Sequence, residues 1–151
     1  MNKKCFITIT LLLVIIAGGF YKFILQGSTT ESTDGRTEIL LNDSERNLVL
    51  AEMRTFLASV QQINQGIAED NMALVAEQAR KSGKAAQTGM PGTLVGKLPL
   101  QFKKLGGDTH AKFDQLAMDT EDMGDKNQAL EQLSALMQNC VSCHATYRIN
   151  I

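Results

Sequence analysis

Tryptophan is absent from this 151-residue chain, proline and histidine each occur only twice, and cysteine occurs three times. So few prolines and an aromatic content of 5%, set against abundant Ala, Leu, Met, Gln, Glu and Lys, argue against a sheet-based core and for helices. An excess of one charge is also missing. Fifteen basic residues balance 16 acidic ones for a formal net charge of −1, so nucleic acid is not an implied partner. At this length the chain supports one domain plus one membrane or export segment, with no room for a second core.

Residues 1–25 form that segment. Lys3 and Lys4 precede an apolar run from Phe6 to Leu25. The small residues Ala17, Gly18 and Gly19 offer a signal-peptide cleavage site. Phe20, Tyr21, Phe23, Ile24 and Leu25 nevertheless continue the run to about 20 residues, enough to cross a bilayer, which favours a retained inner-membrane anchor through residues 6–25. The alternative is a soluble periplasmic protein after cleavage. Lys3 and Lys4 would stay inside and the remainder would be exported. Cys5 lies before the run, where a lipoprotein cysteine would not, and reads as an incidental membrane-edge residue.

Residues 26–41 read as a linker rich in Ser, Thr and Gly, and residues 42–151 as the folded domain. Its first helix starts near Asn42, capped by Asp43 or Ser44. Val49, Met53, Phe56, Val60, Ile63 and Ile67 then recur at threes and fours. A second helix spans about Glu69 to Ser82, opened by Asp70 or Asn71, with Leu74, Val75 and Ala79 inward and Gly83 as its stop. Glycines, Pro91 and Pro99 make residues 83–107 a long connection, with at most a turn of helix near Leu100. A third helix follows Asp108 or Thr109, with Phe113, Leu116, Ala117 and Met123 inward. A fourth runs from Lys126 to Ile149, its stripe being Leu130, Leu133, Met137, Cys140, His144 and Tyr147. The expected fold is all-α: an antiparallel four-helix bundle able to hold a cofactor between facing helices, preceded by an apolar helix.

The chemistry concentrates in Cys140-Val-Ser-Cys143-His144. Two thiols three residues apart with a histidine directly after match the attachment of c-type haem, in which the thiols form thioethers and the imidazole ligates iron. On a helix Cys140 and Cys143 lie one turn apart on one face, and His144 follows one turn after Cys140. Three other readings use the same residues. A thiol redox pair normally opens a helix beside a βαβ unit. A Cys2His2 zinc site would need His110 as well, and the side chains of Cys143 and His144 diverge by about 100°. A disulfide between Cys140 and Cys143 would close a very short loop and constrain little.

With Tyr147 and Arg148 following, the C-x-x-C-H-x-x-Y-R run on the last of four helices resembles that of the class II cytochromes c, the cytochrome c prime group and its low-spin relatives, over residues 42 to 151. The resemblance implies one covalent haem c on Cys140 and Cys143, His144 as proximal iron ligand and Arg148 near the proximal haem face. It also implies that the first helix decides the subtype. Met53, on its inner stripe, would be the distal ligand of an electron-transfer protein, with Met90 the nearest rival; a packing role for Met53 would leave a five-coordinate haem that binds or senses NO or CO. A thiol oxidoreductase using Cys140 and Cys143 is a third class. The leading reading is one-electron transfer in the periplasm rather than an enzyme, with a redox partner protein in or at the membrane and a possible homodimer.

Outside the motif, His110 reads as a partly exposed residue at the start of the third helix. From Arg80 to Gly107 there are six basic and no acidic residues, and from Asp108 to Glu131 seven acidic and two basic, a dipole able to orient docking or simply solvated helix faces.

Overall fold

The computed structural model describes residues 3–150; Met1, Asn2 and Ile151, at the outer bounds of the expected anchor and domain, lie outside the described residues. The chain is mostly helical (78%), with six helices. Helix α1 (Lys3–Phe20) continues as a π-helical stretch, Tyr21–Gln26, and none of this 24-residue run is buried. At about 1.5 Å per residue it reaches roughly 36 Å, longer than a ~30 Å hydrocarbon core.

Helix α2 (Asp43–Ala68) is capped by Asn42, one residue before the expected caps. The reason is Glu45: Asn42 Oδ1 accepts from the Glu45 amide at 2.9 Å while Glu45 Oε2 accepts from the Asn42 amide at 3.0 Å, a reciprocal box. Helix α3 (Met72–Lys81) is capped by Asn71 through the Leu74 amide. Gly66 lets the two helices approach closely, since a Cβ there would lie 2.9 Å from Val75.

The expected loop over 83–107 is largely helical. It contains a 3-10 turn (Lys84–Gln87), α4 (Gly92–Lys97) and the start of α5, which runs Leu100–Met123 behind Pro99 rather than starting after Asp108. Gly106 and Gly107 each cost about 1 kcal/mol relative to alanine, less than the packing of Phe113 and Leu116, both fully buried, returns. Met123, expected inward, is exposed. Gly124, in the left-handed region, ends α5, and Asp125 caps α6 (Lys126–Thr146).

The expectation of a purely α domain is corrected by a small sheet. β1 (Thr29–Glu31) pairs antiparallel with β2 (Thr37–Ile39), and β2 pairs in parallel with β3 (Tyr147–Ile149), where the last helix was expected to continue. Residues 147–149 gain ladder bonds to β2, and Asn150 adds a hook, its side chain bonding both the amide and the carbonyl of Leu41 at 2.7 and 3.0 Å. The segment 26–41 is therefore part of the fold rather than a free linker.

Helix α2 packs on α3 and α6, and α5 packs on α3 and α6. Their shared core includes Phe56, Ile63, Val75, Phe113, Leu116 and Leu136. A second cluster, Ile39, Leu41, Val49 and Leu94, ties the sheet to α4, and Met53 packs against both clusters. On α6 the buried face is Ala129, Leu133, Leu136 and Asn139; Leu130, Met137 and His144, expected inward, are exposed.

Candidate functional site

Where the two core clusters meet, packing leaves a cavity of about 830 Å³, inside the range of small-molecule and cofactor sites. Met137, Cys140, Cys143 and His144 line it from α6, Val49, Met53, Phe56 and Leu57 from α2, and Leu94 and Phe102 from α4 and α5. The face of α6 turned to the cavity is thus rotated from the face turned to the core. Met90 also lines the cavity, so both thioether candidates reach it, from different elements than the imidazole. Arg148 does not line it.

Arg148 belongs instead to a clasp behind the motif. It pairs with Glu38 at 3.1 Å and Asp34 at 3.7 Å. Arg36, held by Asp34 at 2.6 Å, donates to the carbonyls of His144 (3.2 Å) and Tyr147 (3.5 Å). Those are carbonyls a helix end leaves without partners, and a cation there also suits the helix dipole. The Arg36 guanidinium, with Ser32, holds the Asp34 carboxyl well below the usual carboxylate range. One turn earlier, Asn139 is tied to α5: it donates to Asp108 at 2.7 Å and accepts from Lys112 at 2.9 Å. Both ends of the C-x-x-C-H turn are therefore fixed.

Both thiols are free and half-buried. Burial raises the pKa of Cys140, and burial together with its neighbour Cys140 pushes Cys143 up to about 11. An activated redox thiol has the opposite shift, produced by a helix N-terminus or a nearby cation. Tyr147 stacks edge-on against Phe102 at 5.5 Å and closes the base of the motif.

His110 lies elsewhere than expected: it is 1% exposed, on the inner face of α5. Its Nδ1 faces the carbonyls of Ser82 (2.8 Å) and Gly83 (3.1 Å), and its Nε2 faces Glu52 at 3.2 Å. Acceptors at both nitrogens favour the imidazolium form of the ring. Burial works against that charge, but the Glu52 carboxylate and the two carbonyls outweigh it, and the pKa is raised. A raised folded value contributes stability that is fully present below the unfolded pKa of about 6.5 and lost as pH rises through the folded value. Thermal unfolding is therefore expected to show stability falling above neutral pH in the wild type. Glu52→Gln should remove that component and cost about 1–2 kcal/mol at pH 6, the pair being partly exposed on the Glu52 side.

Sequence reasoning missed Glu52, Asn139 and Arg36 as supports of the site. His110 carried a readable signal, since positions 110, 113 and 117 fall on one helical face. Among the described residues no three His, Cys, Asp or Glu side chains form a metal cage. A Cys2His2 zinc site is disfavoured because His110 is committed to Glu52, Ser82 and Gly83. A haem iron takes only one or two protein ligands and needs no such cage. The chain matches no protein-family model, no curated protein and no solved structure.

Proposed function

We propose that this chain is a membrane-anchored c-type cytochrome that passes single electrons on the exported side of the inner membrane, with α2, α3, α5 and α6 as its four-helix bundle. The observation that carries the proposal is the convergence of Cys140, Cys143, His144 and Met53 on one largely apolar cavity. The residues present fit a haem: two half-buried thiols one helical turn apart for covalent attachment, an imidazole beside them and a thioether from another helix. When bound there, haem supplies a one-electron Fe(III)/Fe(II) couple.

Cys140 and Cys143 would fix the group to α6, and His144 would bind its iron from that same helix. Met53, supported by both core clusters, would supply the second ligand. Phe56, Leu94 and Phe102 give the cavity an apolar wall, while His144 stands exposed on α6, and the bonds of Arg36 and Asn139 hold the ligand-bearing turn, which would limit reorganisation between oxidation states. The apolar run Lys3–Gln26 supports retention at the membrane.

The alternative, a five-coordinate haem that binds NO or CO, differs in one measurable property. Full-length protein matured with haem in an exporting bacterial host, reduced and then exposed to CO, is expected to keep a low-spin spectrum unaffected by the gas. A high-spin spectrum that shifts on adding CO would reassign the protein to gas binding and leave Met53 a packing residue.

A further inference from the structure

The end of the apolar helix is bolted to the domain. The stretch Tyr21–Gln26 packs on α4 and α5. Gly27, buried and at φ +69°, follows with no room for a side chain, because a Cβ would lie 2.8 Å from Leu98 C and Pro99 N. The Ser28 amide then donates to the Lys97 carbonyl at 2.7 Å, and Leu40 to Ser28 at 2.8 Å. No free segment separates the run Lys3–Gln26 from the corner Lys97–Pro99. Wherever Ile24 and Leu25 leave the bilayer, that corner leaves it with them.

The corner also has a composition suited to a lipid surface. Val95 of α4 and Leu40, which bonds Ser28, are exposed apolar residues. Between Arg80 and Gly107 there is no acidic residue; Arg80, Lys81 and Lys97 pair with acids outside the segment, while the exposed Lys104 and the half-buried Lys103, itself part of the cavity wall, make no ion pair among the described residues. Unpaired lysines next to a membrane-crossing helix attract anionic headgroups, and amphipathic surface beside them enters the interface.

We infer that α4 and the first turns of α5 form a docking face for an anionic phospholipid bilayer, which holds the cavity against the membrane. This rests on the reading that the N-terminal helix is retained. Since Leu94, Leu98 and Phe102 of this corner are also cavity wall, a bound group would lie beside the headgroups, and its electron partner would be embedded in the membrane rather than freely diffusing.

The test uses full-length, haem-loaded protein with Cys5→Ser, carrying a nitroxide on Gln101→Cys or Asp122→Cys, in phosphatidylglycerol vesicles doped with a nickel-chelating lipid. The two positions lie on one helix about 32 Å apart. Relaxation by nickel is expected to be at least about fivefold stronger at position 101, and Lys104→Gln should lower it there by about fivefold, the weight of one lysine at an anionic surface. Equal relaxation at the two positions, or no response to Lys104→Gln, overturns the docking face. Failure of the underlying readings is separately visible: a cleaved chain has an intact mass lacking its N-terminal residues, and a chain without covalent haem takes up three labels instead of one.

Discussion

Replacing Met53 with alanine is expected to turn a low-spin, CO-insensitive protein into a high-spin one that binds CO, and to lower the midpoint potential by on the order of 100 mV, a fraction of the range that axial ligands span. Met53 packs against both core clusters and is itself only half-buried, so the truncation should cost only about 1–2 kcal/mol, below the range for a fully buried methionine. The fold should survive to report the spectrum. Met90 lines the same cavity, and Met90→Ala is the matching control, expected to leave spin state and CO response unchanged. Should Met90→Ala produce the change and Met53→Ala not, the distal ligand belongs to the loop before α4.

The second large effect concerns attachment. Cys140→Ser combined with Cys143→Ser is expected to reduce denaturation-resistant haem to background, because non-covalent ligation alone does not survive unfolding. His144→Ala should leave some covalent haem but abolish the low-spin spectrum, separating the thiols' role from the imidazole's. Both thiols are held with pKa values raised by burial, so the serine variants remove no activated nucleophile and leave the helix intact. A structural disulfide between Cys140 and Cys143 would predict a different pattern, with little change in stability and no change in bound haem.

The motif and the helices were legible to unequal degrees. The stripe from Val49 to Ile67 is regular over five turns, and it is the buried face of α2. Two capping asparagines are short-range signals and could be read within a residue. The start of α5 was not legible because Gly106 and Gly107 look like a stop; the helix persists there through burial of His110, Phe113 and Leu116, a tertiary effect that local propensity does not contain. The sheet was missed for a different reason. Three-residue strands such as Thr37–Ile39 are too short for an alternating pattern, and β2 meets β3 across more than 100 residues of sequence. The candidate ligands could be named from the sequence because their spacing is chemical. The groups that hold them, Arg36 on the His144 carbonyl and Asn139 between Asp108 and Lys112, are joined only by the fold.

That sheet also changes how the site relates to the membrane. The chain passes from the apolar helix through Gly27 into β1 and β2, and β2 pairs with the strand directly after the C-x-x-C-H turn. The apolar helix, the clasp and the helix carrying Cys140, Cys143 and His144 form one continuous structure, so under the proposed function attachment of a group at Cys140 and Cys143 and attachment to the bilayer would act on the same unit.

The central claim, that Cys140 and Cys143 carry a haem covalently, is most directly tested by the intact mass of the full-length protein isolated under denaturing conditions from a host that matures c-type cytochromes, after treatment with an alkylating reagent. The expected result is a chain heavier by one haem, alkylated at Cys5 alone. A chain of unmodified mass that takes up the reagent at Cys140 and Cys143 would contradict it.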